Sequence, residues 1–285
     1  SRKAGSIQGD LCRMDKMDVL LRQKAPSGLI GWKEEEEMAL ALGLSLHETE
    51  GRLLAQGVLP QRYQRNAKSI TREEQCRLFQ SRVAVIGCGG LGGYLLEELA
   101  RLGIASISAW DYDNFAEHNL NRQLLSEMES IGLSKVETAA KRVQAINPAV
   151  NFQAFNRPFA AGEGEDLLAG HQVVVDALDS IPVRKMLAAV CQRLSLPLVH
   201  GAIAGWCGQV CTQFPGEDSL EIIYRNSNQE QGVESEQGVL AFAPAVVASL
   251  QVAEVVKILL GRGELLRKRI LLFNLLDMEF EVLDL

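Results

Sequence analysis

The sequence predicts an α/β fold: a mostly parallel sheet flanked by helices, extended by antiparallel strands and preceded by a small helical region. Three observations carry this. Val83–Ile86 is a short apolar run that ends in Gly87-x-Gly89-x-x-Gly92 and passes into a helical stretch, Leu91 to Arg101; that order belongs to a buried parallel strand. Up to His200, further short strand-like runs alternate with helical ones, as repeated βα units do. After His200 the pattern changes to longer strands in GAIAGWCGQVCTQF, which read as antiparallel.

Taken in order, Asp15 to Lys24, Lys33 to Leu42 and Leu46 to Gly57 have helical periodicity and form the small region over 1–60. Glu34–Glu37 reads as the acidic first turn of the second helix, where the dipole favours negative charge. Leu59 to Ser69 is a basic linker in which Arg62 and Arg65 read, on their own, as solvated charge, and Ile70 to Phe79 is a helix. Within 61–285, strands are predicted at Ser106–Trp110, Phe152–Phe155, Val173–Ala177 and Pro197–His200. Helices are predicted at Leu133–Ile146 and Arg184–Leu194. Gly216 to Gly238 is polar and reads as a crossover loop. Pro244 to Leu260 is an apolar helix, and Ile270–Asn274 and Phe280–Leu283 are closing strands.

Composition narrows the function classes. The net charge of −7 disfavours a general nucleic-acid or anionic-membrane surface. Apolar stretches are read as too interrupted to span a bilayer, and no signal-peptide pattern is read at the start. Six scattered cysteines without a C-x-x-C suggest reduced thiols and a cytoplasmic setting. Cys207 and Cys211, four residues apart on a strand and so separated by about 13 Å, cannot share one zinc; no structural zinc is expected, and both are read as buried structural thiols.

The chemistry-bearing positions cluster after the predicted strands. Glycines give a tight turn and a backbone that approaches phosphate closely, and the helix behind it directs N–H groups at that phosphate. This leaves NAD, FAD and ATP open. Asp111, with Asp113 beside it, ends the second strand about twenty residues on, where a ribose is bound. Lys135 lies near the start of a helix, a place where a cation needs an anionic partner. Asp179 or Ser180 reads as an N-cap ahead of Pro182, or Asp179 reads as a ligand-binding group beyond a parallel strand. His200 reads either as orienting a substrate or as satisfying a backbone carbonyl.

The motifs RYQRN, GCGGLG, DYDNFAEHNLNRQ, GLSK, VVVDALDSIPVR, GAIAGWCGQV and GVLAFAPAVVASLQVAEVVKILLG, in this order, resemble the ThiF/MoeB/HesA family of adenylating enzymes, relatives of the ubiquitin-activating enzymes. The resemblance runs from Arg62 to Leu285. It implies a Rossmann-like ATP-binding adenylation domain over 61–285, with Gly87, Gly89, Gly90 and Gly92 carrying the ATP phosphates and Asp111 the ribose. Asn119, Arg122 and Gln123 would line the phosphate side, Lys135 would match the family's lysine, and Asp179 would hold Mg²⁺. Arg65 would match an arginine that reaches a neighbouring subunit, in a homodimer. The implied partner is a small ubiquitin-like sulfur-carrier protein, used in thiamine-type or related cofactor sulfur transfer.

That chemistry suits these residue types. A C-terminal carboxyl, with a pKa of about 3.5, is ionised at neutral pH and needs no general base. What it needs is charge compensation, because nucleophile, α-phosphate and leaving pyrophosphate are all anionic; Arg122, Lys135, Arg65 and a metal on Asp179 would supply it. The family's paired C-x-x-C motifs are missing, and Val233–Gln237 holds no thiol where several relatives place one, so adenylation alone is expected. A tRNA-modifying dehydratase of the same chemistry, an NAD(P)-dependent oxidoreductase and a non-catalytic carrier-binding scaffold are the alternatives. The acidic balance weighs against the first. The second leaves Arg122, Lys135 and Asp179 without a shared task, and the third leaves those charges unexplained.

Overall fold

The computed structural model describes residues 16–225 and 237–285. The centre of the crossover segment, including Val233–Glu236, and Cys12 lie outside these. The N-terminal part comprises a helix over 16–24 (α1), α2 (Trp32–Leu42) and α3 (Leu46–Ala55). Ser45 caps α3 reciprocally with Glu48, side chain to backbone in both directions. An unpredicted two-stranded parallel sheet, β1 (Leu29–Ile30) with β2 (Leu59–Pro60), closes this part.

The expected basic linker is instead an ordered 3₁₀ turn, Gln61–Asn66, and Arg62 is not solvated. Its guanidinium pairs with Glu35 and Glu50, both fully buried. Glu34 and Glu35 stand in the acidic first turn of α2 as read, and Glu35 is buried because it lies on the α2 face that packs with Met38 and Leu42. Tyr63 donates to Glu50 at 2.7 Å and accepts from Asn147, and His47 Nδ1 meets the Ala149 carbonyl at 3.0 Å. These contacts fasten the helical region to the sheet domain.

After α4 (Arg72–Phe79) come β3 (Arg82–Ile86), α5 (Gly90–Leu102), β4 (Ser106–Trp110), α6 (Lys135–Ile146) and β5 (Asn151–Phe155). Next are α7 (Ala161–Leu168), β6 (Val173–Asp176), α8 (Ile181–Leu194), β7 (Leu198–Ala204) and β8 (Cys207–Gln213). The chain ends with α9 (Ser219–Ile223), α10 (Phe242–Leu260), β9 (Arg269–Asn274) and β10 (Glu279–Asp284). The eight-stranded sheet has the order β10-β9-β8-β7-β6-β3-β4-β5, parallel from β7 to β5 and antiparallel from β7 outward to β10. The Rossmann-like fold with an antiparallel extension is thus present.

Two short helices depart from expectation. α7 carries Gly162 and Gly164, poor helix formers, and is held by packing on α8 through buried Leu168. α9 sits in the predicted loop because Leu220 and Tyr224 bury themselves and the Leu220 N–H finds Gln213 Oε1. α10 is also longer than read, starting at Phe242 with Pro244 in its first turn, where no N–H is needed. By length and composition it is apolar enough to cross a membrane, contrary to the sequence reading. Here it packs across β7, β8 and α5 and buries Gln251 and Glu254. In the same core, Leu95, Leu96 and Leu99 of α5 are fully buried, and truncating any of them to Ala costs about 2–5 kcal/mol.

Candidate active site

The chain leaves β3 for α5 and β4 on one side, while β6 pairs on the other. Ligands of open α/β sheets bind at such a switch point, beyond the carboxyl ends of the strands. There the structure has a cavity of about 600 Å³, in the size range of small-molecule sites.

The glycine turn is dictated sterically. Gly87 has φ +105°, and a Cβ on it would meet the Ala177 carbonyl oxygen at 2.5 Å. Gly92 lies against the turn itself, since a Cβ there would be 2.0 Å from the Gly87 oxygen. Gly87, Gly89 and Gly90 line the cavity and Gly92 does not. Gly92 packs α5 closely on the turn.

Two helices begin at this cavity with no side-chain cap: α5 behind Gly89 and α8 behind Ser180. Their first N–H groups lack the usual capping side-chain oxygen, and both dipoles add positive potential where Gly89, Gly90 and Ser180 form the wall. Arg122 and Lys135 face the same space. Lys135 has the anionic partner its position demands, Asp113 Oδ2 at 2.9 Å. Arg122 is steadied by the His118 carbonyl and Asn121 Oδ1. The wall therefore favours a polyanion.

Asp111 lines the cavity with both oxygens already engaged, Oδ2 by the Cys88 N–H at 2.7 Å and Oδ1 by the Asp113 N–H at 2.8 Å. Burial pushes its pKa up, against these bonds and the nearby Lys135 charge. Each oxygen keeps a second lone pair for a sugar hydroxyl. Gln123 also lines the cavity, and its buried Oε1 has no partner among the described residues, so it suits a donor brought by a ligand. Asp179 is exposed at the rim. With the glycine cradle, the donor set fits a nucleotide. Among the described residues no three metal-ligating side chains gather; a Mg²⁺ here would rest on Asp179 and on phosphates brought by the nucleotide.

Two expected residues stand elsewhere. Asn119 is buried, with its Oδ1 accepting the Ala116 N–H at 2.9 Å, so it shapes the loop rather than lining the cavity. Arg65 is exposed on the 3₁₀ turn and does not line this cavity. Of the thiols, Cys211 is buried as read, but Cys207 is exposed at the start of β8. Cys88, inside the glycine turn, is buried, and burial with Asp111 nearby pushes its thiol pKa up.

Sequence reasoning missed Asp176 and Arg184. Arg184 lines the cavity floor and pairs with the fully buried Asp176 at 3.2 Å. Burial would raise the Asp176 pKa, but Arg184 and the His200 hydrogen bond overcome it and hold it low. The available signal was a single carboxylate closing the apolar run VVVD, since a buried charge requires a partner.

The chain belongs to the ThiF family, whose signature matches residues 63–285. It is 36% identical over 211 residues to the SAMP-activating enzyme E1 of Haloferax volcanii, covering 73% of this chain and 78% of that protein. It is 35% identical to the sulfur carrier protein adenylyltransferase of Thermus thermophilus (74% and 81% covered). With the molybdopterin-synthase adenylyltransferase of Escherichia coli the identity is 32% (73% and 84% covered). The crystal structure of E. coli MccB with ATP superposes with a TM-score of 0.66 at 19% identity, over 78% of this chain and 71% of that one, a likeness of fold.

Proposed function

We propose that this enzyme uses ATP to adenylate the C-terminal carboxylate of a small ubiquitin-like sulfur-carrier protein, for sulfur transfer in thiamine or related cofactor biosynthesis. The observation that carries the reading is the convergence of Arg122, Lys135 and two uncapped helix N-termini on one cavity whose rim holds Asp179. The relatives' names, which specify sulfur-carrier and molybdopterin-synthase adenylyltransferases, support the substrate class.

In this reading residues 61–285 are the catalytic domain and 1–60 an accessory region. The glycine turn, the α5 N-terminus and Gln123 beside Gly89 receive phosphates, Asp111 fixes the ribose, and Arg122 and Lys135 offset the charge of the carboxylate, the α-phosphate and the departing pyrophosphate. Mg²⁺ on Asp179 would add charge compensation when bound. Arg65 acts in a second copy's site within a homodimer. Sedimentation tests the dimer, and mixed Arg65→Ala and Asp179→Asn protomers recovering activity test the arginine.

The deciding experiment is exchange of labelled pyrophosphate into ATP with Mg²⁺ and diglycine-ending carriers. Carrier-dependent exchange that disappears in Asp179→Asn supports the reading. Exchange that requires tRNA, or tight NADH binding without ATP binding, overturns it.

A further inference from the structure

Beneath the cavity runs a buried polar chain to which the adenylation chemistry gives no task. Asp176 ends β6 and His200 lies on β7, both fully buried, and the sheet register sets them side by side. His200 Nδ1 is 2.7 Å from Asp176 Oδ2, and its Nε2 is 3.2 Å from the Tyr224 hydroxyl and 3.1 Å from the Gln209 amide nitrogen. Arg184 Nη1 also lies 2.9 Å from Nδ1, but it has the Asp176 and Gly201 oxygens as acceptors. The Asp176 oxygen can only accept and the Gln209 amide nitrogen on Nε2 can only donate, so Nδ1 carries the ring proton and Nε2 accepts. Burial, with Arg184 acting in the same direction, holds the imidazole pKa below its usual value against the hydrogen bond to Asp176. The ring is neutral at pH 7.

The other end of this chain is the turn that precedes Asp179. Asp176 Oδ1 accepts the Leu178 N–H at 2.9 Å, while Arg184 donates to the Leu178 carbonyl and, at 2.8 Å, to the Gly201 carbonyl. One carboxylate and one guanidinium thus grip both polar groups of the Leu178 backbone, next to the exposed Asp179. His200 fixes the carboxylate's rotation from the far side, and Tyr224 fixes the His200 tautomer.

We propose that His200 is a positioning residue: by donating Nδ1–H to Asp176, with Tyr224 behind it, it locks the Asp176–Arg184 pair and so the turn that presents Asp179 to the nucleotide. The inference rests on the adenylation reading for its catalytic consequence, though not for its structural one. A His200 that merely filled space would change stability and leave the turn as it is.

The test compares His200→Ala, His200→Asn, whose amide nitrogen takes the Nδ1 position, and Tyr224→Phe, in the full-length enzyme. In His200→Ala, kcat for pyrophosphate exchange falls about 10- to 100-fold, as for a catalytic group displaced by an ångström or less, with a much smaller change in KM for ATP. His200→Asn recovers most of that loss, and Tyr224→Phe falls between. Backbone hydrogen exchange over residues 176–184 accelerates in His200→Ala and returns toward the parent rate in His200→Asn. Unchanged protection of 176–184 in His200→Ala, or equal losses in the Ala and Asn variants, overturns the assignment. If the Ala variant does not fold, an unaltered rate and protection in Tyr224→Phe overturn it instead. A parent enzyme that exchanges with no carrier overturns the adenylation reading, and the protection measurement still decides the role of His200.

Discussion

Glu50 lies fully buried against Arg62, and Glu35 shares the same guanidinium, so two carboxylates meet one cation. Burial raises the Glu50 pKa to about 7, against the attraction of Arg62 and with the help of Glu35. Folded Glu50 therefore keeps a proton that the unfolded chain releases near its ordinary value of 4.5. This group's contribution to stability falls as pH rises from there to about 7 and is then fully lost. Glu50→Gln removes the dependence. Its unfolding midpoint should exceed that of the parent at pH 8 and converge with it near pH 5. Thermal unfolding across this range measures it, and a gap that stays constant with pH contradicts it.

Lys135 and Asp113 are paired but unequal. The lysine side chain is buried at the cavity wall, whereas the Asp113 side chain is half exposed. Lys135→Ala should lower pyrophosphate exchange about 100- to 1000-fold, the usual loss for a group facing developing charge. Asp113→Asn removes a partly exposed ion pair, worth about 1 kcal/mol or less, and should cost under about ten-fold. Comparable losses in the two variants would show that the pair, rather than the ammonium, is what matters.

Gly92→Ala should be as damaging as a change in the phosphate loop, although Gly92 does not line the cavity. The new methyl meets a backbone carbonyl, which cannot swing aside as a side chain does. A loss of about 3 kcal/mol, at the upper end for overpacking, should accompany weakened ATP binding. Chemical denaturation and nucleotide titration on the same sample check both.

Thiol accessibility separates Cys207 from the buried cysteines. Cys88, Cys191 and Cys211 are buried, and burial lifts their pKa values, that of Cys191 to about 12. Alkylation at pH 8 with peptide mapping should modify Cys207 rapidly and these three only on unfolding. Fast labelling of Cys88 would mean that the glycine turn opens readily.

The central strands were legible because their chemistry is local: Ser106–Trp110 is seen as read, and Val83–Ile86 gains only Arg82. Buried parallel strands must be apolar and short between turns, so sequence alone marks them. The glycine cradle, Arg122, Gln123, Lys135 and Asp179 were legible through motif order, and the cavity gathers them. What stayed hidden depends on distant partners. Arg62 reads as a surface charge until Glu35 and Glu50, 27 and 12 residues earlier, fold against it. Asn119 carries a binding-loop sequence but spends its carbonyl on Ala116. The Asp176–His200 contact exists only because the sheet aligns two separate strands.

The unguarded starts of α5 and α8 have a practical corollary for anyone handling this protein. Sulfate or inorganic phosphate from a buffer will settle against those amides and contest the place with ATP, as oxyanions do at helix starts generally. Apparent affinity for nucleotide will then track which salt is in the tube, at fixed ionic strength. Crystals grown from sulfate should carry that ion beside Gly89.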